Sequence, residues 1–224
     1  MTQTWHDLLF AHWPLPPAAV RPLVPAAFAL DPFEGEAWLG IVPFHMTNVA
    51  PRGVPALPWI SAFPELNVRT YVRLHDKPGV YFFSLDASSA VAVTTARTLF
   101  NLPYHTATMD VAGVGDVVRY SSVRDADASA SLRAHYRPAG AVFMPRAGTL
   151  EHFLTERYCL YHVDRSGAPY RLEIHHAPWP LQTAEAELQR NGMAAVNGIS
   201  LPDIAPILHF AKRQDMVGWL PAAP

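Results

Sequence analysis

Proline recurs twenty-two times between Pro14 and Pro224, in tight groups at 14–25, 51–64 and 202–206. Because proline fixes φ and lacks a backbone donor, these groups mark loops and element boundaries. The runs left between them are short and strand-like: 37–49, 65–74, 79–86, 104–112, 116–123, 131–137, 157–164, 169–176 and 206–217. Their spacing predicts an α+β, mainly β chain whose antiparallel strands curl into a barrel or sandwich. Two segments read as short helices. In 88–100, Val93, Ala96 and Phe100 recur at three- and four-residue intervals. In 149–157, Thr149 is placed to cap, and Leu150, Phe153 and Leu154 share a face. The stretch 124–131 reads as a solvated turn. One domain over residues 1–224 is expected, since a chain of this length buries a single core comfortably.

Half of the residues are hydrophobic and only 16% are charged, enough apolar surface to offset chain entropy and to argue against extensive disorder. Seventeen basic residues face nineteen acidic ones for a formal charge of -2, with no basic cluster beyond Lys212-Arg213, so the electrostatic footprint of nucleic-acid binding is missing. The one cysteine, Cys159, has no internal disulfide partner. Neither a signal-peptide pattern nor an apolar run of about 18 residues appears, so a cytoplasmic protein without membrane association is the default expectation. Lys77 and Lys212 are the chain's two lysines, which leaves few amines for chemistry.

The most informative strand runs from Glu65 to Val72. Period-two geometry puts Glu65, Asn67, Arg69 and Tyr71 on one face and Leu66, Val68, Thr70 and Val72 on the other. The polar face is either the wet side of an ordinary sandwich strand or a ladder turned inward toward a ligand. Glu65 and Arg69 stand about 13 Å apart along the strand, so they meet a ligand or cross-strand partners rather than each other. The next strand, 79–86, is apolar on both faces until Ser84, which predicts cover on both sides. Eleven histidines form no metal-binding run, and adjacent His175 and His176 point to opposite faces, so neither metal nor cofactor is predicted. Cys159, between Tyr158 and Leu160, reads as an inert buried thiol. Trp179, between Pro178 and Pro180, reads as a rigid core corner rather than a ligand-facing ring.

Residues 81–107 carry a strand ending in Leu85-Asp86, a small-residue helix ending in Arg97, then Leu102-Pro103 and Tyr104-His105. With Leu23-Val24-Pro25, Leu30-Asp31 and Phe63-Pro64-Glu65, they resemble the core of acetoacetate decarboxylases. Those enzymes place two adjacent lysines, one of them the Schiff-base residue, where this chain has Tyr104-His105, and a pocket glutamate where it has Glu65. A resemblance over nearly the whole chain is to the DUF2071 or YqjF-like family of bacterial proteins. It rests on the blocks 63–72, 83–86, Leu102-Pro103-Tyr104, 152–158 and 176–181. This implies an acetoacetate-decarboxylase-like antiparallel barrel with a few short helices, and the decarboxylase scaffold implies a homo-oligomer.

On that scaffold the expected partner is a small carboxylate or carbonyl ligand. Glu65, Tyr104 and His105 are the candidate acid–base and oxyanion residues. Asn67, Arg69, Tyr71 and Arg97 are the candidate ligand-binding residues, with Arg157 a further arginine in reserve. A guanidinium offers a carboxylate a fixed fork, and a glutamate or histidine of shifted pKa moves a proton. Without the lysine pair, Schiff-base decarboxylation is not expected. A lysine-independent enzyme and a non-catalytic binding or regulatory protein both remain open readings. Strict alternation admits only one of Tyr104 and His105 to the interior unless a bulge follows Pro103.

Overall fold

The alternation along 65–72 is the key to the architecture, because both faces of that strand turn out to be interior. The computed structural model describes residues 1–53 and 61–223, so part of the proline-marked loop at 51–64 lies outside the described residues. Twelve strands are present among the described residues: β1 (Thr2–Leu15), β2 (Ala29–Leu30), β3 (Ala37–Ala50), β4 (Phe63–Leu74), β5 (Lys77–Ala87), β6 (Tyr104–Val114), β7 (Val117–Arg124), β8 (Asp127–Phe143), β9 (Cys159–Val163), β10 (Pro169–His176), β11 (Leu181–Asn191) and β12 (Ile207–Gly218). The helices are α1 (Pro17–Val20), α2 (Ala90–Phe100) and α3 (Leu150–Thr155).

The pairings close into two circuits. One runs β4–β5–β6–β7–β8–β11–β12–β1–β3 and back to β4; the other runs β4–β5–β9–β10–β12–β1–β3 and back. They share the wall β12–β1–β3–β4–β5. The expected antiparallel barrel is thus a pair of fused closed sheets, with β5 pairing parallel to both β6 and β9 and the other named pairs antiparallel. The larger circuit is filled by side chains such as Leu9, Leu66, Val68, Tyr120 and Tyr136. Within the smaller one lie two lesser apolar clusters, around Phe10 and Trp179 and around Tyr71 and Leu154.

One irregularity decides which side chains enter which interior. Asn67 pairs with Leu85 and Val68 with Ser84, but Arg69 pairs with Phe82, so Phe83 is an extra residue on β5. The bulge reverses the parity of β5. Val80 and Phe82 before it, and Leu85 and Ala87 after it, all lie beside the polar ladder of β4, while Ser84 and Asp86 turn to the other side. Fully buried Asp86 is there held by Arg124, with Nη2 to Oδ1 at 2.8 Å.

Local chemistry sets the helix ends. Ser89 caps α2 by accepting from the Ala92 N–H, and α2 stops where Asn101 takes the left-handed conformation ahead of Leu102-Pro103. Thr149 caps α3 by accepting from the His152 N–H, as its position predicts. The turn expected over 124–131 is narrower in the structure: β7 ends at Arg124 and β8 begins at Asp127. Residues 125–129 are exposed, but Arg124 is drawn inward by Asp86. Strands β1, β11 and the two-residue β2 are absent from the sequence-based expectation. No helix among the described residues is long and apolar enough to cross a membrane.

Candidate functional site

The smaller circuit encloses a cavity of about 180 Å³. Its wall carries Glu65, Asn67 and Arg69 from β4, Tyr104 from β6, Arg157 from the segment after α3, and His176 from the end of β10. Met1 and Trp219, 38% and 46% exposed, stand at its outer margin. Apolar side chains from β1, β3, β5 and β9 make up most of the remaining surface. The ladder of β4 is therefore not a wet face: Glu65 is 4% and Asn67 5% exposed.

At one end, the Tyr104 hydroxyl donates to Glu65 Oε2 at 2.7 Å. Burial raises the Glu65 pKa to about 7 against the opposing pull of this hydrogen bond, and the nearby negative charge of Asp86 adds to the rise. The same burial, with the Glu65 charge, holds the Tyr104 hydroxyl well above its ordinary range. At the other end, Arg69 Nη2 donates to the Leu154 carbonyl at 3.0 Å and lies 3.5 Å from the Tyr71 oxygen, while the guanidinium carbon sits 5.5 Å from the Phe10 ring centre. Arg69 has no carboxylate partner among the described residues. Three buried atoms on the cavity wall lack partners among the described residues, Asn67 Oδ1, Arg69 Nε and Trp179 Nε1. Arg157 differs, being paired at 2.6 Å with Asp31, which Arg73 shares at 3.0 Å, and donating from Nε to the Phe153 carbonyl at 2.7 Å.

Three of the sequence-predicted residues fall elsewhere. The parallel register sets Tyr104 beside Leu85 and His105 beside Asp86. Alternation therefore turns Tyr104 into the cavity and leaves His105 on the opposite face, where burial and the charges of Arg124 and Arg97 push its pKa down to about 4. Tyr71 continues the ladder but packs in the core: its hydroxyl donates to the Leu154 carbonyl at 2.8 Å and lies 2.7 Å from His12 Nε2. Arg97 is exposed on α2 and lies outside the cavity wall. Conversely, His176 was not singled out for this site. Buried and lowered in pKa by that burial, it stacks on Tyr158 and meets Trp179 at a tilt of 59°, with Nδ1 2.8 Å from the Ala177 carbonyl. His175 is exposed, as alternation requires. Trp179 is both core corner and cavity wall, and Cys159 is buried with burial pushing its thiol pKa up. Among the described residues no group of His, Cys, Asp or Glu is arranged to hold a metal ion.

Gly40 on β3 is what lets the cationic end form. It pairs with Arg69, and a Cβ placed on it would lie 3.0 Å from the His12 ring and 3.3 Å from Arg69 Cγ. The nearer neighbour, His12, has little room to yield, since it is fully buried and held by Tyr71. Gly40→Ala is expected to cost about 1–3 kcal/mol through overpacking, as measured by urea denaturation. An unchanged midpoint would show that the site relaxes freely.

The comparisons with known proteins agree with this architecture. A family model described as "Uncharacterized conserved protein", DUF2071, matches residues 2–215. Protein YqjF of Bacillus subtilis (strain 168) is 48% identical over 219 residues, covering 98% of this chain and 90% of that protein. Among solved structures, the enduracididine biosynthesis enzyme MppR in complex with pyruvate superposes with a TM-score of 0.64 at 10% identity, covering 98% of this chain and 89% of that one. Acetoacetate decarboxylase from Legionella pneumophila gives 0.63 at 11% identity, covering 99% and 87%. These likenesses establish an acetoacetate-decarboxylase-like fold, and on the family match and the YqjF identity together the chain belongs to the DUF2071 family.

Proposed function

We propose that this protein is a lysine-independent acid–base enzyme whose cavity takes a small carbonyl compound bearing a carboxylate. The observation that carries the reading is Arg69, a guanidinium on the wall of a mainly apolar cavity with no carboxylate partner among the described residues. A charge withdrawn from water is costly unless compensated, and the planar donor fork of arginine matches a carboxylate. Glu65, with a pKa near 7, exchanges a proton readily at neutral pH.

Proton removal next to a carbonyl suits this set. The Glu65 carboxylate takes the proton, the C–H electron pair forms the carbon–carbon double bond, and the carbonyl electrons move to oxygen. Tyr104, released from Glu65, donates to that oxyanion. His105, Tyr71 and Arg97 make no ligand contact in this scheme. Lys77 pairs with Glu173 and Lys212 with Asp7, and neither lines the cavity, so imine formation is not part of it. The pyruvate bound to MppR supports a carbonyl acid as the ligand class.

The test is deuterium exchange next to the carbonyl, followed by NMR, over short and long keto acids. Parent protein is expected to exchange at a rate rising with pH through about 7, where Glu65 ionises. Glu65→Gln is expected to abolish exchange and Tyr104→Phe to slow it by about 10- to 1000-fold. Exchange that survives Glu65→Gln would remove Glu65 from the chemistry, and ligand binding without exchange would favour the binding-protein reading.

A further inference from the structure

The two ends of the ladder face apart, and this restricts what can bridge them. Glu65 and Arg69 are four residues apart on a strand, about 13 Å. The Arg69 guanidinium leans away from Glu65. The Glu65 carboxylate is held by Tyr104 from across β5, whereas the Arg69 guanidinium reaches away toward Tyr71 and the Leu154 carbonyl. Opposite charges in one sheltered cavity attract strongly, yet these make no ion pair with each other. Between them stands Asn67, with its unpartnered Oδ1.

We infer that the ligand carries its carboxylate remote from its carbonyl, joined by an apolar spacer, rather than one or two bonds away as in 2-oxo and 3-oxo acids. This rests on the carbonyl-acid reading above and narrows it. With a hydrogen bond of about 2.8 Å at each end, roughly 7 Å remains for the ligand, or about six bonds of an extended chain. A ring substituted at opposite positions spans a similar length. The cavity volume of about 180 Å³ agrees, since a dry cavity of about 150 Å³ holds benzene. The spacer would lie against Phe10, Phe82, Leu85 and Leu160, all on the cavity wall, which gain by excluding water from it. In a short keto acid, a carboxylate seated on Arg69 would leave the carbonyl out of reach of Glu65.

The experiment is calorimetric titration of the full chain with pyruvate, acetoacetate, 6-oxoheptanoate and 4-acetylbenzoate, with heptan-2-one and heptanoate as single-ended controls. Deuterium exchange beside each ketone is measured in parallel. The two long keto acids are expected to bind at least tenfold more tightly than the short ones and than either control, and to show the exchange. Arg69→Gln is expected to weaken the long keto acids at least tenfold and to leave heptan-2-one unchanged. Pyruvate or acetoacetate binding as tightly as the long acids would overturn the inference while leaving the carbonyl-acid reading standing. Heptan-2-one or heptanoate matching 6-oxoheptanoate would overturn it too, since one end would then suffice. Binding by none of the six would overturn both readings.

Discussion

Replacing Arg124 by alanine is expected to destabilise the fold by about 3–5 kcal/mol, because it strands a buried carboxylate without its counter-charge. Asp86 is fully buried and Arg124 8% exposed, and the guanidinium reaches both carboxylate oxygens, through Nη2 at 2.8 Å and Nε at 3.2 and 3.3 Å. Burial already pushes the Asp86 pKa up despite this pairing, so the loss of the arginine leaves a carboxyl that must protonate or admit water. Replacing both partners, with Asp86→Leu and Arg124→Met, is expected to be close to neutral or stabilising, since burying two charges costs much of what their attraction returns. Urea denaturation of the two single variants and the double variant measures this as a mutant cycle. A cost below about 1 kcal/mol for Arg124→Ala would mean that solvent reaches Asp86 freely.

Replacing Glu65 by glutamine is expected to stabilise the protein at high pH by about 3 kcal/mol and to leave it unchanged in acid. The carboxyl has a pKa of about 7 in the folded protein against an ordinary value of 4.5, so between those values the folded state binds the proton that the unfolded chain has released. Stability of the parent therefore falls as pH rises through that window, and the deficit is complete above about pH 7. At about 1.4 kcal/mol per pH unit the full effect is about 3 kcal/mol. Glutamine keeps an oxygen to accept from Tyr104 but carries no charge. Denaturation at pH 4.5, 6 and 8 is expected to show the variant's advantage growing from near zero. An advantage independent of pH would assign it to packing instead. Such a cost suits the proton-transfer role proposed for Glu65.

What could be read in advance follows from how regular each local pattern is. The ladder Glu65-Asn67-Arg69 was legible as one face of a strand because its side chains alternate polar and apolar, but alternation alone left open whether that face was wet or enclosed; the structure places all three on the cavity wall. Strand β1 was not legible. It belongs to the wall shared by both circuits, so Leu8, Leu9, Phe10 and Ala11 are all buried and no alternation appears. Strand β11 was hidden by composition: Ala184, Glu185, Ala186, Glu187 and Leu188 are helix-forming types held extended by pairing with β8. The orientation of Tyr104 and His105 depends on a parallel register with β5, a long-range pairing that local sequence does not encode. Tyr71 was drawn into the expected site by parity alone, yet its hydroxyl is spent on His12 and the Leu154 carbonyl. Arg157 was recognisable as an arginine of interest, but its pairing with Asp31 spans 126 residues.

The bulge at Phe83 also fixes the electrical character of the chamber. Were β5 to continue in regular register past Val80 and Phe82, Ser84 and Asp86 would join the cavity wall and Leu85 would leave it. The chamber would then hold a second acid close to Glu65, and Arg124 would face the opposite interior without its anion. Two neighbouring carboxylates cannot both ionise cheaply, and the anionic ligand proposed above would be repelled. One inserted residue thus keeps a second buried acid out of the chamber, although the amino-acid composition would be almost the same in either case. Among relatives, gaps aligned at this position would be a better guide to ligand charge than substitutions at the wall itself.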